Sequence, residues 1–153
     1  ILLGLCTFLT LDLVKSPTDN LFRDRSFFGA HKVYNLEETR VYVNGTTIHG
    51  TQRLDEYGTR PTPLSYYHPT SPMAQVLDSD FGVEADRIGV VGLGVGSLAC
   101  YAQPGQTWDF YEIGEMVDRV ARDPALITTL CASATINCLF KKVVRCRNDK
   151  WAV

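Results

Sequence analysis

Arg87-Ile-Gly-Val-Val-Gly-Leu-Gly-Val-Gly-Ser-Leu-Ala-Cys-Tyr101 decides the reading of this chain, together with Glu112 downstream. An apolar run ends in Gly92, Gly94 and Gly96 and passes into a helix-forming pattern. Glycines allow a sharp backbone turn and a close approach to a ligand that a Cβ would repel. A helix opening after them offers free N–H groups and a positive dipole end. A second apolar run, Trp108 to Ile113, carries Glu112 near its end. A carboxylate there, about twenty residues beyond the first glycine, can accept from both hydroxyls of a ribose. Strand, glycine turn, helix and acid-tipped strand, in that order, predict a nucleoside-binding βαβ unit. A glycine triplet alone would predict only a buried strand and a tight turn.

The spacing narrows the ligand. Ser97 stands where the G-x-G-x-x-G dinucleotide fingerprint needs its third glycine. Gly92-Leu-Gly-Val-Gly96 is G-x-G-x-G, the form common in S-adenosylmethionine-type binders, where no pyrophosphate has to be cradled.

Around this unit the chain divides four ways. Residues 1–24 are an apolar stretch and a polar linker. Ile1 to Val14 is too short for a membrane span and lacks the basic start and cleavage site of a signal peptide. A packed helix or the remnant of a longer hydrophobic segment remains, and the missing Met favours the remnant. Residues 25–70 are expected to form an antiparallel β-hairpin domain. Ser26–Tyr34 and the alternating Thr39–Asn44 are its strands, Asn44-Gly45 is a tight-turn signal, and a proline-rich loop follows. Residues 71–136 are expected to form the first half of a Rossmann-like parallel sheet: Ser71-Pro72 opens a short helix through about Asp80, the period changes at Arg87 to β-α-β-α, and a helix from Glu115 to about Arg122 is followed by one restarting at Asp123-Pro124 toward Ala132. Residues 137–153 form a basic tail with one poor strand, Lys142–Arg145. The expected fold class is α/β, an antiparallel hairpin region followed by half of a parallel sheet.

Composition bounds the function. The net charge of −2 with 21% charged residues provides no general field for nucleic acid or an anionic membrane. Lys141, Lys142, Arg145, Arg147 and Lys150 crowd the end as a solvated cluster. The five cysteines contain no C-x-x-C pair, and His31, His49 and His68 lack metal-ligand spacing, so neither a metal site nor a disulfide framework is expected. A reducing, intracellular setting fits.

Five co-linear segments carry a family resemblance: Arg25-Ser-Phe-Phe-Gly-Ala-His-Lys-Val33, Asn44-Gly-Thr-Thr-Ile-His-Gly-Thr-Gln52, Pro63-Leu-Ser-Tyr-Tyr67, Val90 to Ala102, and Tyr111-Glu-Ile-Gly-Glu-Met-Val117. Over residues 25–130 the chain resembles the polyamine synthase (spermidine synthase-like) family, in particular its bacterial members fused to a multi-pass membrane region. The resemblance implies a β-hairpin domain before a methyltransferase-like domain, with the cleft between them. It implies an S-adenosylmethionine-type nucleoside, intact or decarboxylated, as donor substrate and a polyamine as acceptor, without metal or nucleic acid. By position, Glu112 would hold the ribose, Gly92, Gly94 and Gly96 would let the adenosyl group lie against the turn, and Gln52 would face the cleft beside the sulfonium or amine. Tyr66 and Tyr67 would be an aromatic rim for the polyamine, suited to a cation; packing is the other reading of two tyrosines in such a loop.

The chain departs from the family in three places, the first of which should abolish catalysis and the second of which weakens any claim for the decarboxylated donor. The family's catalytic acid lies in a loop after a fourth parallel strand that has no counterpart here, Val95 replaces an acid within the glycine loop, and Gly114 stands where an aspartate usually follows the Glu-Ile pair. No catalytic residue is assigned, and the chain reads as a C-terminally truncated, catalytically incomplete member. Two other readings stand beside it: a methyltransferase relative using intact S-adenosylmethionine, and a non-catalytic homodimerisation remnant pairing through Phe27, Phe28 and Val43. A cytoplasmic location is expected, free or as the cytoplasmic part of a membrane-anchored protein.

Overall fold

A computed structural model of the chain describes residues 20–56, 61–129 and 137–142. Among the described residues seven strands form two sheets of mixed α/β architecture. The first is an antiparallel meander, β1 (Asn20–Ser26), β2 (Gly29–Leu36), β3 (Thr39–Asn44) and β4 (Thr47–Arg53), in sequential order. The second is parallel, β5 (Arg87–Val91), β6 (Thr107–Glu112) and β7 (Asn137–Lys142), with β6 central.

The meander follows from period-2 alternation, which sends successive side chains to opposite faces. Its inner face, Phe22, His31, Val33, Tyr42, Gly50 and Gln52, turns toward the parallel half, and Val33, Tyr42, His31 and Gln52 are fully or almost fully buried. The register of β3 on β4 slips once: Tyr42 faces Gly50 while Val43 faces Ile48, leaving His49 as the extra residue of a β-bulge.

Three expectations change here. Residues 20–24, read as linker, form most of β1, because their pairing partners on β2 lie beyond the reach of local pattern. The strand expected to run unbroken from Ser26 instead turns at Phe27 and Phe28, with Gly29 at φ +132°. The tail's first residues, 137–142, pair with β6 as a third parallel strand, ahead of the position expected for one. The expected strand at Lys142–Arg145 lies, past its first residue, outside the described residues, as does the apolar stretch 1–14.

The other described elements include α1 (Pro72–Leu77), α2 (Asp80–Val83), a 3₁₀ turn (Ser97–Tyr101) and α3 (Glu115–Arg122). Ser71 caps α1 by accepting the Ala74 N–H at 3.2 Å, with Pro72 at the first helical position. Ala74, Leu93, Val95, Leu98, Trp108, Phe110, Val120 and Ile127 form the shared core with Val33 and Tyr42. The segment after α3 turns through Pro124–Leu126 and is helical again at Thr129; the rest of the helix expected to restart at Asp123-Pro124 and run toward Ala132 lies outside the described residues. Among the described residues no helix is long and apolar enough to cross a membrane.

Candidate functional site

β5 ends at Val91, and the chain then passes through three left-handed glycines, Gly92 (φ +91°), Gly94 (φ +56°) and Gly96 (φ +79°). Each conformation is one that L side chains rarely adopt. Gly92 donates its N–H to the Tyr111 carbonyl at 2.8 Å, so the turn starts pinned to β6. A Cβ at Gly94 would stand 2.6 Å from the His49 carbonyl oxygen, whereas one at Gly92 would meet nothing within 4 Å. Gly94 is thus needed for packing and Gly92 leaves room beside the strand tip.

Glu112, at the tip of β6, reaches back to this turn. Its Oε2 accepts the Leu93 N–H at 2.9 Å and its Oε1 the Gly114 N–H at 2.7 Å. A carboxylate offers about four acceptor positions, so each oxygen keeps one for a ligand. Glycine turn and carboxylate do converge. They line a cleft of about 440 Å³ whose walls also carry His49, Tyr66, Tyr67, Met73, Leu77 and Val117.

Five of the seven residues singled out from sequence meet in this cleft: Gly92, Gly94, Glu112, Tyr66 and Tyr67. The tyrosine rings lie 4.4 Å apart and tilted by 56°. Burial, then the neighbouring Tyr66, pushes the Tyr67 hydroxyl up to about 12, so it remains a neutral hydrogen-bonding group. Tyr66 is half exposed and donates weakly to the Ile48 carbonyl at 3.3 Å.

Gly96 is outside the lining. It caps the 3₁₀ turn, donating to the Leu93 carbonyl and accepting from Ala99, both at 2.9 Å. That turn has five residues and no α-helical continuation, so the helix-dipole part of the sequence argument does not apply. Gln52 also lies outside the lining. It is buried, its amide oxygen accepts the Thr128 N–H at 2.9 Å and the Thr129 hydroxyl at 3.3 Å, and its amide nitrogen donates to Thr128 Oγ1. Gln52 clamps β4 to the segment after α3, instead of facing a sulfonium or amine. Val95 too points away from the cleft, fully buried against Gly50, where a Cβ would overlap its methyl groups.

His49 is the cleft residue that sequence reasoning missed. The bulge between Tyr42 and Val43 takes it out of the alternation and aims it at the glycine turn. The uneven pattern of Thr47-Ile-His-Gly50 was the available signal.

The cleft suits a ligand with a vicinal diol at Glu112 and a flat or cationic group against tyrosine. Among the described residues Glu112 is its sole carboxylate, and no three His, Cys, Asp or Glu side chains gather as a metal would require. No protein-family model, curated protein or solved structure matches the chain.

Proposed function

We propose that this chain binds an adenosyl nucleoside of the S-adenosylmethionine type in the cleft between glycine turn and meander, as a spermidine synthase-like protein of Rossmann-like ancestry. The observation that carries this reading is the Glu112 carboxylate, anchored on the Leu93 and Gly114 N–H groups with one acceptor position free on each oxygen. Ribose hydroxyls 2′ and 3′ match that pair. The open space beside Gly92 admits the sugar without a Cβ in the way.

Binding without aminopropyl transfer is the form of the reading that the residues favour. Transfer needs a second carboxylate to hold an ammonium group and take the proton of the attacking amine, and Glu112 is already committed to the sugar. Nothing in the lining selects the decarboxylated donor over the intact one, which keeps the methyltransferase-relative reading beside it.

Calorimetric titration of the purified chain with S-adenosylmethionine, its decarboxylated form and methylthioadenosine tests this. At least one is expected to bind, and Glu112→Gln is expected to weaken it by roughly 1.5–3 kcal/mol, one charge-assisted hydrogen bond. Unchanged affinity in the variant would move the ribose elsewhere. Preference for the decarboxylated donor favours polyamine synthase descent, and preference for the carboxylated one the methyltransferase relative.

A further inference from the structure

The turn joining β1 to β2 presents Phe27 and Phe28, 95% and 49% exposed, with their rings edge-to-face at 5.3 Å. Neither ring belongs to the core. Cross-strand partners share a face, so Arg23, Lys32 and Ile48 lie together on the outer face of the meander, and Arg25 two residues along β1 joins them. Among the described residues none of these three cations forms a salt bridge. Asp24, the nearest acid, points to the opposite face and pairs with Arg119 at 3.1 Å. The meander's other acids, Glu37, Glu38, Asp55 and Glu56, sit at its far end, roughly 25 Å from the Phe27–Phe28 turn and about 16 Å from Lys32 at about 3.3 Å per residue.

We propose that this end of the meander docks on an anionic lipid surface, Phe27 and Phe28 entering the interface while Arg23, Arg25 and Lys32 meet the headgroups. The proposal is independent of the nucleoside cleft. Exposed aromatic rings partition into the membrane interface, and each nearby cation adds attraction to an anionic leaflet. A second copy of the chain fits this surface poorly, because two-fold pairing would set the three cations against the same three. Nucleic acid fits poorly as well, because its affinity comes from neutralising many phosphates, typically six or more, and this patch holds three cations beside two exposed apolar rings.

Fluorescence of a Phe27→Trp variant of the full chain tests the proposal. It is titrated with phosphatidylcholine vesicles, with and without phosphatidylserine, carrying brominated acyl chains as quenchers. Quenching in the anionic vesicles beyond that of the unsubstituted chain is expected, falling about fivefold in vesicle affinity for each of Arg23→Gln and Arg25→Gln. Reading the tip directly separates its insertion from any effect of the apolar residues 1–14. Absence of extra quenching in anionic vesicles overturns the proposal, as does equal quenching in pure phosphatidylcholine. Sedimentation and nucleic-acid titration cover the other occupants. A dimer dissolved by Phe27→Ser with Phe28→Ser, or RNA binding lost with the arginines but indifferent to both phenylalanines, also overturns it.

Discussion

At Glu112 a single carboxylate ties the end of β6 to the glycine turn and still faces the cleft. The convergence of turn and carboxylate was legible because every participant is local: strand, turn and strand within about twenty residues, each with a distinctive side chain or none. Gln52 was not legible, since its partner Thr128 is 76 residues away and nothing in a polar side chain announces which polar group it will meet. His31 is a third case. Wholly buried, it joins Ser26 Oγ at its Nε2 and the Tyr42 hydroxyl at its Nδ1, both at 2.7 Å. Burial foremost, then the charge of His49, lowers its pKa from the ordinary 6.5, against a smaller opposing pull from Asp24. The folded chain therefore holds this proton less tightly than the unfolded one, and stability is expected to fall as pH drops below 6.5, levelling once the folded form titrates. Thermal melts between about pH 8 and pH 5 check this. The same slope in His31→Gln would assign the acid sensitivity to another group.

Among the elements, the predictions that survived rest on strong local rules. α3 occupies Glu115–Arg122 as expected, with acids in its first turn and arginines in its last, and Ser71-Pro72 opens α1. Those that changed depend on pairing. A polar stretch becomes β1 because β2 offers it a ladder, and a weak terminal segment becomes β7 because β6 has an open side. Within the parallel sheet, β5 and β6 are also joined by charge. Arg87 Nε donates to Asp109 Oδ2 at 2.7 Å, and Asp109 is almost completely buried while its Oδ1 has no partner among the described residues. Taking the guanidinium away strands a carboxylate under the sheet, a more costly change than the value of the exposed arginine itself. Arg87→Ala is expected to lower unfolding free energy by about 2–3 kcal/mol, and Asp109→Asn in that background to recover much of the loss. Urea unfolding of the three chains measures both.

Across the molecule, the two sheets meet through a few close contacts. Arg40 Nη1 donates to the carbonyls of Ala125 and Leu126 at 3.0 and 2.9 Å, Arg119 stands 5.5 Å over the Phe22 ring, and Gly50 lies against Val95. The division into a hairpin domain and a parallel half was foreseeable from the change of period at Arg87. Their junction was not, because it depends on the absence of a side chain at one position and the bulk of another 45 residues away. Gly50→Ala is expected to cost about 2–4 kcal/mol by overpacking. Adding Val95→Ala should restore part of this, giving a coupling energy of about 1–3 kcal/mol in a denaturation cycle. Strict additivity would mean that the two sites do not press on each other.

That contact also constrains how such a chain can be altered or recombined. A meander transplanted onto a different parallel half would need a residue without a Cβ wherever the new turn carries a branched neighbour. Residues 50 and 95 must therefore change as a pair, and a library that shuffles the halves independently will discard most of its members at this seam.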